Sequence, residues 1–323
     1  MKTDELFLSP EELKLYKIKK TLFNIGIYTF LVVISLFIII PFYYMLLTSL
    51  QTYQEIEYTQ VINLWPKNWA WENYASIFVI TANRGGGGTS VNFFEVMGNN
   101  LAGTPIDAFS IFTMYANTII IAVITTFGTV VSVVFSAFAF ARLNFKGKEI
   151  IFSLLLATMM IPGEIYTITN YQMLATMKNT YWVLILPFMT SVFYTFFLRQ
   201  TFRQIPNELY LAARVDGVGD FGYLFKVMIP IAKSTILTIV ILSMIGTWNA
   251  YVWPSLMTSK GSLYLVSNGL QMMFSGMADG AGASKIIPQR MAAATMVTVP
   301  LLIVFICLRK YIMGGVSRSG IKG

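Results

Sequence analysis

Two uncharged apolar segments limit what this chain can fold into. Residues 23–46 contain no charged side chain over 24 positions, and residues 113–141 contain none over 29. A helix needs about 20 apolar residues to cross the hydrocarbon core of a bilayer, so each segment is long enough to span it. Similar segments lie at 150–170, 181–200, 233–257 and 291–311. The sequence therefore predicts an all-α integral membrane protein with six transmembrane helices, the first at 22–47.

The composition agrees with a membrane protein and excludes several other classes. The chain is 56% hydrophobic and 12% charged, with a mean hydropathy of +0.65. It contains no histidine, the commonest general base and metal ligand, and its one cysteine, Cys307, lies in an apolar segment. No disulfide or cysteine metal cluster can form within the chain. The net charge of +8 is dispersed between apolar segments, which favours a topology signal over a nucleic-acid partner.

The distribution of basic residues predicts the orientation. With six spans, the segments on the side of the two termini hold 17 Lys and Arg residues, and those on the other side hold six. Cytoplasmic segments are enriched in these residues, so both termini are expected in the cytoplasm. The predicted divisions are a cytoplasmic segment at 1–21, the first span at 22–47, an external loop at 48–112, a five-helix core at 113–311 and a cytoplasmic tail at 312–323.

Two segments outside the core have local signals. Ser9 and Glu12 form a capping-box pattern, which predicts a short helix that lies on the inner membrane surface, with a solvated tail as the alternative. Residues 84–90 read R-G-G-G-G-T-S. Since no strand precedes them and no lysine follows the glycines, they are interpreted as a flexible tip and not as a phosphate-binding loop.

Residues 205–230 form the longest stretch of mixed polarity between two apolar spans. Pro206 suits a first helical position, and Glu208 suits the first turn, where the helix dipole favours an anion. Leu209, Ala212 and Ala213 give a narrow small-residue face at helical spacing. Asp216 and Gly217 predict the end of this helix, and Pro230 the end of a second one. The prediction is a cytoplasmic helix–turn–helix with a face suited to docking.

This stretch resembles the EAA loop of membrane subunits of ATP-binding-cassette (ABC) importers. That pattern is E-A-A, three residues, G, nine residues and then I-x-L-P; Ala212, Ala213, Gly217 and Pro230 stand at the same spacing here. Leu211 stands where the pattern has its glutamate. An ordinary amphipathic loop of another membrane protein is the alternative on this stretch alone.

The resemblance extends over nearly the whole chain. The order and spacing of short motifs are similar to those of maltose-type sugar permeases: Trp65-Pro66-Lys67, Glu72-Asn73-Tyr74, Asn117-Thr118, Phe138 to Arg142, Phe145 to Lys148, Met159 to Glu164, Asn179-Thr180, Leu198-Arg199-Gln200, Trp248-Asn249-x-Tyr251 and Gly320 to Gly323. Relative to that family, residues 81–110 are interpreted as a glycine-rich insertion. The motifs together disfavour an unrelated membrane protein.

The resemblance implies the type I ABC importer permease fold and a carbohydrate, with an oligosaccharide as the expected kind, as substrate. It implies a second homologous permease subunit, two ABC ATPase subunits and an extracellular substrate-binding protein as partners. The implied ATPase-coupling residues are Pro206, Glu208, Leu211, Ala212, Ala213, Asp216, Gly217 and Pro230. The chain has no Walker A pattern, so ATP and Mg²⁺ are expected on the partner ATPase, with no cofactor bound by this chain.

Four residues are candidates for the translocation path, and each has a structural alternative. Glu164 is an ionisable residue inside a predicted span, where it would face a cavity; it would either bind sugar hydroxyls, cap backbone freed at Pro162 or pair with a partner subunit. Trp248, Asn249 and Tyr251 combine an aromatic surface with amide and hydroxyl groups that suit a sugar. Their alternative is helix packing with an interfacial anchor.

Two other functional classes are alternatives to an ABC importer permease. An ion-coupled secondary transporter of a small polar solute would usually show inverted repeats and several intramembrane charges; here Glu164 is the only acidic residue well inside a span. A membrane-embedded enzyme needs a nucleophile, base or metal cluster. A chain with no histidine and one cysteine has few residues that could form such a site. The sequence does not name the sugar, and whether this chain or only the partner permease contacts it stays open.

Overall fold

The computed structural model describes residues 10–58, 64–77, 81–84, 87–90, 108–109, 111–275 and 286–317. The chain divides into two compact units. The first comprises Met1–Asn73 with Ser284–Thr295, and the second comprises Tyr74–Ala283 with Met296–Gly323.

The first unit is dominated by one long helix, α1, Pro10–Ser49. Its 40 residues correspond to about 60 Å, and its apolar side chains are exposed along most of its length. The predicted separate helix before residue 22 is wrong, because the helix is continuous and no glycine or proline stands between 11 and 25 to interrupt it. Two short helices follow, α2, Tyr53–Tyr58, and α3, Glu72–Ile77, whose residues from Tyr74 onward belong to the second unit.

The second unit begins with a small antiparallel sheet. Its strands are β1, Thr81–Arg84, β2, Gly87–Ser90, and β3, Ala108–Phe109, in the order β2-β1-β3. Thr81 pairs with Ser90 on one side and with Phe109 on the other. The predicted all-α class holds for the rest of the described chain, but this small sheet was not predicted, since backbone pairing needs no particular side chain. Strand β1 directly precedes the glycines at 85–88, contrary to the expectation that no strand would. Residues 85–86 and 91–107 of the predicted insertion lie outside the described residues.

The remainder of this unit is helical and is built around α4, Ile111–Arg142, which packs against α8 and α12. The following helices are α5, Lys148–Thr158, α6, Gly163–Met173, α7, Tyr181–Ile185, α8, Val192–Arg203, α9, Asn207–Val215, α10, Asp220–Tyr223, α11, Ile229–Ile231, α12, Lys233–Trp248, α13, Val252–Met257, and α14, Val266–Ser275. The last helix, α15, Ile287–Ser317, contributes residues to both units.

Three helices of the described chain are long and apolar enough to cross a membrane, in α1, α4 and α15. Two bent pairs pass the same test, Tyr181–Phe188 with Val192–Arg203 and Asp220–Ile231 with Lys233–Trp248, which brings the number to five if each pair is one span. The predicted continuous span at 150–170 is instead α5 and α6, of 11 residues each. Pro162 explains the interruption, because it donates no backbone hydrogen bond and disfavours the helical conformation of the residue before it.

Two apolar clusters hold the second unit together. One lies toward the Arg142 end of α4 and includes Val133, Phe138, Phe202, Ala213 and Tyr223. The other, nearer the Ile111 end, is formed by Ile121, Val183, Leu184, Ile185, Trp253, Met257 and Leu265. The first cluster places α9 against the end of the helical bundle, where the predicted docking loop lies.

Candidate functional site: the 205–230 loop and a hydroxyl-lined cavity

The first helix of the 205–230 loop, α9, has defined ends. Pro206 is its N-cap, one residue before the predicted position, and Glu208 lies in its first turn. At the other end, Gly217 has a φ of 75°. The Gly217 N–H donates to the Arg214 carbonyl at 3.1 Å, and the Val218 N–H donates to the Ala213 carbonyl at 2.8 Å. This is a Schellman motif, in which glycine supplies the left-handed residue. The predicted stop at Asp216 and Gly217 is confirmed.

One face of α9 is buried against this chain. Ala213 is only 9% exposed and belongs to the same apolar cluster as Tyr223. Tyr210 packs edge-to-face on Tyr223 with ring centroids 5.1 Å apart. Its hydroxyl donates to the Asp220 carboxylate at 2.8 Å, and this bond raises the pKa of Tyr210. The prediction that Ala213 belongs to an outward docking face is therefore wrong.

The opposite face of α9 is open. Glu208, Leu211, Ala212 and Val215 follow one another at helical spacing and are all exposed. Leu211 is 57% exposed and Val215 87%. An exposed apolar strip of this kind costs free energy in water, which makes it a candidate interaction surface.

The second half of the loop bends sharply into α12. The helical backbone runs through α10, a π-helical turn at Leu224–Met228 and α11. The predicted helix end at Pro230 is slightly early, because the helical backbone continues through this proline to Ile231. The break follows at Ala232, with φ −88° and ψ 9°, and the two segments meet at 78°.

Arg142, the last residue of α4, ties the start of α9 to the bundle. Its guanidinium donates to the carbonyl of Phe202 at 3.1 Å, to that of Ile205, and to Oδ1 of Asn207 at 3.4 Å. Phe202 lies in the last turn of α8 and Asn207 opens α9. A single side chain thus joins α4, α8 and α9, a role that the sequence analysis missed.

Arg199 makes a second junction beside it. Its Nε donates to the Phe140 carbonyl at 3.0 Å, and its Nη2 lies 2.8 and 2.9 Å from the two carboxylate oxygens of Glu149. The guanidinium also lies 3.8 Å from the ring centroid of Phe152. The side chains of Arg199 and Glu149 are 4% and 67% exposed, so a buried cation is neutralised by a solvated carboxylate. This arrangement joins α8 to α4 and α5.

Of the four residues predicted for the translocation path, the structure describes the side chains of Trp248, Asn249 and Tyr251. Glu164 lies at the start of α6, and its side chain lies outside the described part of the chain. Trp248 lines an apolar crevice between α4, α12 and α15, 5.8 Å from Tyr115 between ring centroids. Asn249 caps the C-terminus of α12, and Tyr251 is partly exposed beside it.

A different set of residues forms a cavity of about 310 Å³ beside α4, α8 and α12. Hydroxyl groups stand on an otherwise apolar wall that also contains the rings of Phe188 and Trp253. The hydroxyl-bearing residues are Thr125, Thr129, Thr190, Ser191, Tyr194, Ser243 and Thr247. Among the described residues, no group hydrogen-bonds to the buried Oγ1 of Thr125. An uncharged lining that combines hydroxyls and aromatic rings suits a polyhydroxylated ligand.

The sequence contains a periodic signal for this cavity, although none of its hydroxyl residues was predicted as a site residue. Thr125 and Thr129 are four residues apart in one span, as are Ser243 and Thr247 in another. Residues at this spacing share a helix face, so each span carries one hydroxyl-bearing face. The Trp253 indole N–H, which donates to the Val183 carbonyl at 2.9 Å, fixes the aromatic wall.

Residues 13–318 match a protein family described as binding-protein-dependent transport system inner membrane component. Among similar proteins is the arabinooligosaccharides transport system permease protein AraQ of Bacillus subtilis, 26% identical over 94% of this chain and 97% of its own length. AraQ of Halalkalibacterium halodurans is 30% identical over 65% of this chain and 74% of its length. The sn-glycerol-3-phosphate transport system permease protein UgpE of Yersinia pestis is 29% identical over 64% of this chain and 73% of its own length.

The fold is similar to that of a chain in the crystal structure of a bacterial ABC transporter involved in the import of the acidic polysaccharide alginate. The TM-score is 0.69, the sequence identity is 22%, and the match covers 94% of this chain and 99% of that one. At this identity the likeness is one of fold.

Proposed function

The chain belongs to the family of binding-protein-dependent transport system inner membrane components, and we propose that it is a permease subunit of an ABC importer that carries an oligosaccharide into the bacterial cytoplasm. The names of its relatives supply the substrate class, since AraQ is named for arabinooligosaccharides. The uncharged hydroxyl-lined cavity supports a neutral sugar better than the phosphorylated one for which UgpE is named.

The proposed topology has six spans, with both termini and the 205–230 loop in the cytoplasm. The bias of Lys and Arg toward the segments on that side supports it. In this arrangement α5 and α6 together make the remaining crossing, interrupted at 159–162. A non-helical break at membrane depth is tolerated where neighbouring helices or a cavity satisfy the freed backbone groups.

The exposed apolar strip of α9 carries the proposal that this loop docks an ATPase. Leu211, Ala212 and Val215 present a small, continuous hydrophobic surface, of the kind that seats in a groove of a partner. Two ABC ATPase subunits, one on this chain and one on a second homologous permease, would bind and hydrolyse ATP with Mg²⁺. An extracellular binding protein would deliver the sugar to the other side.

The two arginine junctions support transmission of movement from the loop to the spans. Arg142 fixes α9 to α4 and α8, and Arg199 fixes α8 to α4 and α5. A displacement of α9 by closure of the ATPase dimer would then shift α4 and α8 as a body. Both helices line the cavity, so this shift would change its access, provided that ATP binding favours one of two existing states.

Substitutions at Leu211 test the docking surface. Leu211→Lys places a charge in the apolar strip and is expected to reduce ATPase retention on pull-down of the tagged permease. Leu211→Glu restores the residue type of the EAA pattern and is expected to retain the ATPase at the unmodified level or above. Because Leu211 is exposed in the free subunit, membrane insertion of both variants should be unchanged. Normal retention with Leu211→Lys and Val215→Lys would reject this surface.

Substitutions of residues that line the cavity test whether it is part of the translocation path. Thr125→Val removes a hydroxyl of nearly the same shape and is expected to lower sugar uptake by raising the half-saturating concentration. Thr295→Val is the matched control, because the Thr295 hydroxyl donates to the Met291 carbonyl of its own helix at 2.8 Å and does not line the cavity. Glu164→Gln is expected to insert normally and to change transport. Uptake at the unmodified level in both Thr125→Val and Glu164→Gln would remove the cavity and Glu164 from the path.

A further inference from the structure

Three of the six tryptophans of the chain lie within seven residues, in the segment after α2. Trp65, Trp69 and Trp71 are each about half exposed or more. Trp69 stacks on Trp71 with ring centroids 6.1 Å apart and planes 17° apart, and Trp65 meets Trp69 edge-on at 5.8 Å. With the exposed Leu64, they form an apolar patch, which we call the tryptophan patch.

Backbone and side-chain hydrogen bonds hold this segment against the end of α1. The Glu55 carboxylate accepts from the backbone N–H of Asn68 at 2.8 Å and of Lys67 at 3.3 Å. The Ala70 N–H donates to the Leu50 carbonyl at 2.9 Å. A second tie lies just beyond the patch, where Nδ2 of Asn73 donates to the carbonyls of Ser49 and Gln51, both at 3.0 Å.

The position of the patch along α1 follows from one further bond. The Tyr43 hydroxyl donates to the Leu64 carbonyl at 3.1 Å. Tyr43 lies six residues before the end of α1 at Ser49, which is about 9 Å back along the helix axis. The segment therefore does not extend away from the helix end but returns beside its last turns, where the uncharged apolar stretch of α1 also ends.

We propose that the tryptophan patch is a lipid-binding surface that seats in the headgroup and carbonyl layer of the leaflet at the Ser49 end of α1. Indole rings favour this layer because an apolar body and a polar N–H are accommodated together. The exposed Lys67, between Trp65 and Trp69, places an ammonium where lipid phosphates lie. Tyr43 and Tyr44, both partly exposed on α1, extend the belt of aromatic side chains at the same depth.

The depth of the patch distinguishes lipid from a soluble ligand. A surface for a sugar or a binding protein would need to stand clear of the bilayer, whereas the Tyr43 bond holds this segment level with a membrane helix. The consequence is mechanical, since fixed interfacial side chains set the tilt and depth of a helix. The patch would hold α1, whose apolar surface is otherwise exposed. This inference requires only that the chain is membrane-embedded and does not depend on the transported substrate.

Tryptophan fluorescence of the assembled transporter in nanodiscs tests the proposal. The difference between the unmodified complex and one carrying Trp65→Phe, Trp69→Phe and Trp71→Phe isolates the patch from all other tryptophans. Phosphatidylcholine brominated near the carbonyls is expected to quench this difference signal at least twofold, and more than lipid brominated near the chain ends. Trp253→Phe is the control, because the buried Trp253 should contribute a signal that shallow bromine does not quench.

The opposite pattern would overturn the proposal. Quenching of the difference signal by aqueous iodide but not by either brominated lipid would place the patch in water. A signal that changes only when sugar or the binding protein is added would assign the patch to that ligand instead. If the triple variant does not assemble, each single Trp→Phe variant is measured in the same way. Three single variants without bromine quenching would reject the lipid surface.

Discussion

Leu211 and Ala213 lie two residues apart in α9 and point in opposite directions, Leu211 57% exposed and Ala213 only 9% exposed in the cluster that contains Tyr223. The helix therefore has one side that belongs to the permease and one that is available to a partner. A substitution on each side should affect a different property of the transporter, and this separates folding of the subunit from assembly.

Ala213→Trp and Ala212→Trp form a matched pair. Ala213→Trp forces a large ring into a filled cluster, and overpacking of this kind costs about 1–3 kcal/mol. We expect a lower thermal unfolding temperature of the purified permease and a smaller inserted amount. Ala212 is exposed, so Ala212→Trp should leave both unchanged and reduce ATPase retention. Equal unfolding temperatures for the two variants would contradict the assignment of the faces.

Gly217 and Gly219 offer a test of backbone conformation alone. Neither glycine has a heavy atom within 4 Å of where a Cβ would stand, but Gly217 has a φ of 75°, whereas Gly219 has a φ of −70°. An alanine in the left-handed region costs roughly 1–2 kcal/mol. Gly217→Ala is thus expected to loosen the end of α9, measured as faster amide hydrogen exchange at Val218, with no such change in Gly219→Ala. Equal amide hydrogen exchange at Val218 in the two variants would contradict the role of Gly217 in ending α9.

The Arg199–Glu149 pair predicts a non-additive response. Glu149→Gln leaves the buried guanidinium without its counter-charge, and an uncompensated buried charge is strongly destabilising. Arg199→Met removes the buried charge and keeps an apolar stem. The double variant is therefore expected to unfold at a higher temperature than Glu149→Gln alone. A double variant whose loss equals the sum of the two single losses would show that the groups are not coupled.

Cysteine labelling checks the proposed orientation. After replacement of Cys307 by serine, Lys260→Cys is expected to react with a membrane-impermeant maleimide in intact cells, whereas Gly219→Cys should react only after lysis. Both positions are exposed in the structure, so a difference reports the side of the membrane. External labelling of Gly219→Cys would reverse the orientation inferred from the basic residues. Positions within 84–90 are expected to label like Lys260→Cys, whereas the adjoining Gly261, Ser262 and Leu263 are buried and are not suitable labelling sites.

Several features followed from the sequence because their causes are local. The α4 span was predicted at 113–141 and is Ile111–Arg142, since apolar length without charge is a property of the segment itself. The end of α9 at Gly217 was equally predictable, because few other residues tolerate a positive φ. The break at Pro162 could have been anticipated from the same proline rules.

Other features were decided only by tertiary packing. Alanine is compatible with a buried or an exposed position, so the sequence of α9 alone could not show that Ala213 faces inward. The contacts of Tyr210 with Tyr223 and Asp220 of the next helix determine which face of α9 is buried. The hydroxyl-lined cavity is likewise non-local, because it exists only where faces of α4, α8 and α12 converge. The sequence determined which segments become helices, and packing between segments distant in the chain determined which of their faces meet.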